Sequence, residues 1–205
     1  MSKKHVAAVA VAVAAALATP TAAAASSPAS TTAPAAAAPA QELKLRAGLT
    51  LYIPIAWEVH RIRGDWINVV TGPCRKPRGG FFTPDCQGFW ILGPKAIKLG
   101  AEGFGPYDAR EGGYYPASDV QPCPKNGKLV RGERIGAHKK GTRQVGPGHK
   151  AHYHQFTTRC RTTTGKKVGV SFTTREWYLP KSKILVVDEW STKNLADALK
   201  HADWR

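Results

Sequence analysis

Residues 149–180 read HKAHYHQFTTRCRTTTGKKVGVSFTTREWYLP, and this stretch decides the fold. Between His149 and Cys160, polar residues alternate with aromatic and small ones, a pattern typical of a half-buried strand. The segment TTTGKK (162–167) has the composition of a turn, and VGVSFTTREWYLP (168–180) repeats the alternation. The sequence therefore predicts a long antiparallel β-hairpin.

Shorter segments extend this hairpin into a sheet. LTLYIPIAWEVHRI (49–62) predicts two strands around a proline bend, and WINVVTG (66–72) and KILVVDEW (183–190) predict one strand each. Residues 73–127 hold much of the glycine and proline, which predicts a long loop with a helical turn after Pro94.

An amphipathic helix is predicted within STKNLADALKHADW (191–204), with Ser191 or Thr192 as its N-cap. Its apolar residues recur at helical spacing: Leu195, Ala198, Leu199 and Ala202. The expected fold class is therefore α+β, an antiparallel β-sheet with a C-terminal helix packed on it.

The N-terminal residues predict export. Lys3 and Lys4 precede an uncharged run, Val6 to Ala18, which is too short for a membrane span of about 20 residues. We expect a signal peptide over 1–25 and a disordered linker rich in Ala, Pro, Ser and Thr over 26–41. A single globular domain over 42–205 would then be secreted, extracellular or associated with the cell wall, with no transmembrane segment in the mature chain.

The four cysteines, Cys74, Cys86, Cys123 and Cys160, are an even number, which in an oxidising compartment predicts two disulfides. Three pairings are possible. The Gly/Pro-rich segment between Cys74 and Cys86 favours a bond that closes this short loop, and Cys123 then pairs with Cys160. Since the sequence has no C-x-x-C pair, zinc binding by cysteine is not favoured.

The order of these segments resembles the PsbP/Mog1-like fold. IPIAW (53–57) matches a P-x-x-W bend after the first strand, and Gly148 to Ala151 matches a G-x-x-A motif before the hairpin. The resemblance implies an α/β/α sandwich over about residues 49–204, as in LpqN-type exported proteins, although the Gly/Pro-rich insertion and both disulfides depart from it. The chain is also similar to uncharacterised secreted proteins of high-GC actinobacteria, a class that implies no activity and no functional residue.

Positive charge is concentrated near the hairpin. All but two of the 30 Lys and Arg residues follow the predicted signal, so 28 basic residues face 14 acidic ones there, and 125–167 hold twelve basic residues against Glu133 alone. Such a surface attracts anionic partners such as a wall polyanion, a lipid headgroup or nucleic acid, although a solvated face is the alternative. The candidate anion-binding residues are Lys139, Lys140, Arg143, Lys150, Arg159 and Arg161.

Three histidines, His149, His152 and His154, are the candidate metal ligands, because alternate residues of a strand share a face. However, residues 134–175 contain no carboxylate, and the surrounding positive charge opposes a divalent cation. We therefore expect no cofactor, and expect these histidines to modulate anion binding as they gain protons in acid.

An enzyme is the second hypothesis. The serines lie outside any G-x-S-x-G motif, and the cysteines are expected to be oxidised, so nucleophilic catalysis has little support. An extracellular hydrolase that used carboxylate and histidine chemistry would have Glu176 and His154 as its first candidates. The preferred interpretation is a secreted basic binding domain.

Overall fold

The computed structural model describes residues 39–205, and most of this part of the chain is antiparallel β-structure. The two helices are short: α1 (Pro94–Ile97) and α2 (Leu195–Lys200). The strands are β1 (Ala40–Lys44), β2 (Leu49–Pro54), β3 (Glu58–Arg63), β4 (Trp66–Cys74), β5 (Cys86–Leu92), β6 (Pro122–Cys123), β7 (Asn126–Gln144), β8 (Lys150–Arg161), β9 (Lys167–Leu179), β10 (Ile184–Asp188) and β11 (Asp203–Trp204).

Eight of these strands form one sheet with the order β3-β4-β5-β10-β9-β8-β7-β6. The other three, β1, β2 and β11, form a smaller sheet. The predicted hairpin is confirmed as β8 and β9, in which His154 lies opposite Glu176 and Tyr153 lies opposite Trp177.

Five strands were not predicted, namely β1, β5, β6, β7 and β11, and the two longest of these are β7 and β5. Strand β7, 19 residues long, pairs with β8, so the histidine-rich segment is the first strand of the β8–β9 hairpin, as predicted, and also an inner strand of the sheet. Strand β5 lies inside the predicted loop 73–127, which is therefore wrong for residues 86–92, whereas the helical turn after Pro94 is confirmed. Both strands contain glycine, which weakens the alternation that identifies a strand.

The eight-stranded sheet buries side chains on both faces. We call one the sandwich face; it carries Tyr153, Trp177 and Val186, which pack with residues of β2 and α2 in one apolar cluster. The other, the loop face, carries Glu176 and Val187 and is covered by residues 75–85 and 93–121, the parts of the chain on either side of β5. The aromatic side chains of this covering segment that enter the second cluster are Phe81, Tyr107 and Tyr114.

The C-terminal helix is shorter than predicted. It covers Leu195–Lys200, and its N-cap is Asn194, whose backbone is left-handed (φ 65°) and whose side chain makes no capping hydrogen bond. Ser191 and Thr192 are therefore wrong as N-caps, because the Thr192 hydroxyl donates to Asp188 instead. The apolar face is confirmed for Leu195, Leu199 and Ala202, all of which are buried in the sandwich-face cluster.

Both disulfides form with the predicted pairing. Cys74–Cys86 joins neighbouring strands β4 and β5, and Cys123–Cys160 joins β6 to β8. Cys123 and Cys160 are completely buried and pack against Phe172 in a third, small cluster.

The predicted signal peptide and nearly all of the predicted linker lie outside the described residues; β1 begins at Ala40, within the last two residues assigned to that linker. Among residues 39–205, no helix is long and apolar enough to cross a membrane.

Candidate functional site

The two residues suggested for catalysis, His154 and Glu176, are cross-strand neighbours on the loop face. Both are buried, with 3% of His154 and none of Glu176 exposed. Asp188, the other acid considered for a carboxylate pair, lies on the sandwich face opposite Arg175 and receives hydrogen bonds from its guanidinium. The sheet therefore brings Glu176 to His154 and separates it from Asp188.

The Glu176 carboxylate is occupied by the segment that covers it. Tyr114 N–H donates to Oε1 at 2.7 Å, while Gly113 N–H and the Tyr107 hydroxyl donate to Oε2 at 2.7 and 3.0 Å. Burial raises the pKa of Glu176, an effect that these three donors oppose. Burial also raises the pKa of Tyr107, which therefore stays protonated and donates.

His154 is fixed at both ring nitrogens. Its Nε2–H donates to the Ala109 carbonyl at 2.9 Å, because a carbonyl can only accept, and in the neutral ring Nδ1 is then the nitrogen without a proton. His138 Nε2–H then donates to His154 Nδ1 at 3.1 Å. Burial, the neighbouring His154 and nearby Lys140 lower the pKa of His138.

Two glycines explain how the backbone comes so close to this pair. Gly112 and Gly113 have φ values of +68° and +90°. A Cβ on Gly112 would lie 2.6 Å from Cγ of the His154 ring, and one on Gly113 would lie 1.7 Å from Arg134 Nη2. Only glycine fits both the backbone conformation and the space. The segment 108–114 thus lies directly on His154 and Glu176.

A cleft with a volume of about 770 Å³ lies beside that segment, where Phe156 and Thr174 of the loop face also line it. Gly112, Gly113 and Tyr114 line it, whereas His154 and Glu176 do not. Its charged lining is mostly acidic: Glu102, Asp108, Glu111 and Glu189 against Arg131 and Arg134. Arg131 is already paired with Glu189 through two hydrogen bonds, so the charge balance does not favour an anion there.

The three candidate metal ligands are not brought together. His154 is engaged as above, His152 is exposed near the Tyr178 ring, and His149 stacks on Trp204 with 4.0 Å between ring centroids. In the part of the chain from 39 to 205, no group of three or more His, Cys, Asp or Glu side chains has a metal-binding arrangement.

The six candidate anion-binding residues fall into different surroundings. Lys140 is paired with Glu111 at 3.1 Å, and Arg159 is paired with Glu133 at 3.0 Å. Arg161 lies opposite Lys167 near the turn between β8 and β9. The remaining three, which have no carboxylate oxygen of residues 39–205 within 4 Å, are Lys139, Arg143 and Lys150.

Arg143 forms part of a basic groove between the hairpin and α2, with a volume of about 520 Å³. We call this the hairpin-end groove. The Arg143 guanidinium lies 4.6 Å from the centroid of the Tyr153 ring, and that of Arg175 lies 5.3 Å from the Trp177 centroid. The other groove residues are Gln144, Ala196, Asp197 and Lys200, so three cations face one acid.

Arg175 and Lys200 were missed as site residues because they are distant in sequence from the basic window 125–167. The alternation of β9 could have identified Arg175, since it places residue 175 on the same face as Trp177. No local pattern could have placed Lys200 in the same groove as Arg143, because that placement depends on how α2 packs against the sheet.

Comparisons with protein-family models, curated proteins and solved structures gave no match to this chain.

Proposed function

We propose that this chain is an exported basic binding domain for an anionic polymer of the cell envelope, and that the hairpin-end groove is its main contact surface. The observation that carries the proposal is the pair of guanidinium groups held over Tyr153 and Trp177 in a groove where cations outnumber acids three to one. The cation–π contact fixes the Arg143 guanidinium while leaving most of its N–H donors free.

Charge at the groove is available to a ligand. Arg143 and Lys200 are exposed and have no carboxylate partner in residues 39–205, and Arg143 uses one nitrogen to donate to the Thr142 carbonyl. Arg175 differs, because it is tied to Asp188 and to the Thr192 carbonyl. Arg175 therefore shapes the groove, while Arg143 and Lys200 supply its net charge.

Strand β7 provides a further cation, Lys139, four residues before Arg143. Lys139 lies opposite Gln155, on the same face as Tyr153. Residues 139–144 are all exposed along this strand, which suits contact with an extended polymer. Lysines on an exposed strand also discourage pairing with other chains, so Lys139 has a second reason to be there.

Location outside the cell is part of the proposal. It is supported by two disulfides, which persist in oxidising compartments, and by the signal-like N-terminal sequence. The anionic polymer would then be a wall polyanion. The resemblance to the PsbP/Mog1-like fold stays a proposal of the same kind, without a functional residue.

His149 and His152 are the histidines that can modulate binding of the anionic polymer. Both lie near the basic surface with ring atoms accessible to solvent, whereas both nitrogens of His154 are engaged inside the protein. A proton gained by either ring adds positive charge beside the basic surface, so any gain in polyanion affinity on acidification is assigned to these two residues rather than to His154.

The test is binding of long-chain polyphosphate across a series of salt concentrations. We expect a steep loss of affinity with salt, and expect Arg143→Gln with Lys200→Gln to weaken binding about tenfold and to reduce the salt slope by about one per lost contact. The control is Lys166→Gln with Lys167→Gln, an equal charge change at the opposite end of the hairpin. Equal weakening by both pairs would show that net charge alone causes the binding, and would overturn the groove assignment.

A further inference from the structure

A second basic concavity lies beside the turn between β7 and β8. It has a volume of about 440 Å³, within the range of small-molecule sites. Its charged lining residues are Lys150 and Lys181, and none of the acidic residues within 39–205 lines it. The other lining residues are Ala47, Gly148, His149, Leu179, Pro180, Ser182 and Trp204.

The aromatic part of this pocket is rigid. The His149 and Trp204 rings are stacked with an interplanar angle of 18°. Trp204 Nε1–H donates to the Val145 carbonyl at 2.8 Å, and His149 Nδ1–H donates to the Pro147 carbonyl at 2.9 Å. With Nδ1 used, His149 Nε2 is the ring nitrogen left for a ligand. Both rings are half-buried, so part of each stays accessible.

The cations of the pocket are also available. Lys150 and Lys181 are exposed, and neither ammonium lies within 4 Å of a carboxylate oxygen of residues 39–205. Leu179, buried at 3% exposure, gives the pocket an apolar wall. A planar ring therefore finds apolar and aromatic surfaces here, and an anionic group finds two free ammonium groups.

From this combination we propose that the pocket binds a small molecule made of a planar aromatic ring with an anionic substituent. The ring would contact the His149–Trp204 stack and the Leu179 side, and the anion would take charge-assisted hydrogen bonds from Lys150 and Lys181. This goes beyond the proposed polymer binding, because it concerns a different concavity and a different ligand class; His149 is the residue that the two proposals share.

The experiment is calorimetric titration of the folded protein at low salt with three probes: 5′-AMP, which has ring and anion; ribose 5-phosphate, which lacks the ring; and adenosine, which lacks the anion. We expect 5′-AMP to bind and the other two to bind at least about tenfold more weakly. Equal affinity for 5′-AMP and ribose 5-phosphate would show that only the charge is recognised, and would overturn the proposed ring contact. Absence of 5′-AMP binding at millimolar concentration would refute the whole proposal.

Substitutions of the lining residues test whether 5′-AMP binds in this pocket. Lys150→Gln with Lys181→Gln is expected to weaken 5′-AMP binding at least about tenfold, since each lysine makes a charged hydrogen bond. His149→Ala is expected to remove the preference for 5′-AMP over ribose 5-phosphate. The control pair Lys166→Gln and Lys167→Gln should stay within about twofold of the wild type. Equal effects of the two lysine pairs would refute the site.

Failure of this proposal is separable from failure of the polymer proposal. Arg143→Gln, which lies in the hairpin-end groove, should leave 5′-AMP binding unchanged while it weakens polyphosphate binding. If an oligonucleotide such as (dA)8 instead bound more than tenfold more tightly than 5′-AMP and lost that advantage in Arg143→Gln, the small-molecule assignment would be wrong.

Discussion

The sandwich face and the loop face of the eight-stranded sheet are buried by different means. On the sandwich face, β1, β2, β11 and α2 bring side chains such as Leu51 and Leu199 into an apolar cluster. These covering segments satisfy most of their own backbone hydrogen bonds in strands and a helix. Apolar burial then supplies most of the contact between the two layers, and a few hydrogen bonds add to it, such as that from Trp204 Nε1–H to the Val145 carbonyl.

The loop face is covered by residues 75–85 and 93–121, which form little regular structure of their own apart from the short helix α1. A buried segment of this kind must find partners for its backbone groups. Glu176 accepts from two of its N–H groups, and His154 donates to one of its carbonyls. The difference teaches that polar residues buried on a sheet can serve an irregular covering segment rather than a reaction.

The largest expected change in the free energy of unfolding follows removal of the disulfide that lies at the end of the segment covering the loop face. Cys123–Cys160 closes 37 residues, and its removal by Cys123→Ala with Cys160→Ala is expected to cost about 4 kcal/mol in the chain-entropy model. Cys74–Cys86 closes 12 residues, and its double alanine variant is expected to cost about 3 kcal/mol. Urea unfolding of both variants measures the difference, and a larger loss for the shorter loop would contradict the entropic ranking.

Glu176→Gln should loosen the loop face selectively. The amide keeps one acceptor oxygen but turns an NH₂ group toward backbone donors, leaving at least one buried N–H without a partner at a cost of about 2–3 kcal/mol. Hydrogen exchange should quicken mainly in 107–114. The matched control is Trp177→Leu, the next residue of the same strand on the opposite face, which should lower global stability without this local pattern. Equal exchange profiles for the two variants would disprove the assignment of Glu176 to the covering segment.

The smallest effect concerns pH. Because the pKa of His138 is lowered from 6.5 in the folded protein, chiefly by burial, the unfolded chain binds its proton first as the pH falls. The stability that His138 contributes is therefore present above about pH 6.5 and is lost as the pH falls through its folded-state pKa. His138→Gln keeps an N–H donor for His154 but does not titrate.

We expect the urea midpoint of the wild type to fall more between about pH 7.5 and pH 5.5 than that of His138→Gln. Burial raises the pKa of Glu176, which contributes the opposite pH dependence, but Glu176 is present in both proteins and cancels in the comparison. If the urea midpoints of the two proteins fall equally over this pH range, His138 does not contribute to the pH dependence of stability.

Much of the sandwich face could be predicted, whereas the loop face could not. The hairpin β8–β9, the strand β10 and the apolar face of α2 all follow from local periodicity. The long strand β7 has Gly127, Gly132, Gly136 and Gly141 at positions that interrupt its pattern, and β-bulges break its pairing with β8. The segment 126–144 forms a strand because it pairs with β8, and its own composition does not predict one.

The candidate sites divide in the same way. The excess of positive charge between 125 and 167 is visible in the sequence, but the pairings that neutralise Lys140 and Arg159 are not. The sequence suggested that His149, His152 and His154 could act together. In the fold each of them has a different neighbour. His152 and His154 share a face of β8, but only His154 is covered by residues 108–114, and His149 lies in the β7–β8 turn.

By itself the sequence determined what local chemistry and chain length control: an antiparallel sheet, a C-terminal helix, a strongly basic hairpin and a disulfide pairing favoured by the Gly/Pro-rich segment between Cys74 and Cys86. Only the tertiary structure decided which charges stay available to a ligand, that Glu176 and His154 hold a covering segment, and that Trp204 stacks on His149. These contacts join residues that are 22 to 69 positions apart in the chain. Such contacts are set by the packing of whole elements, which local sequence patterns do not encode.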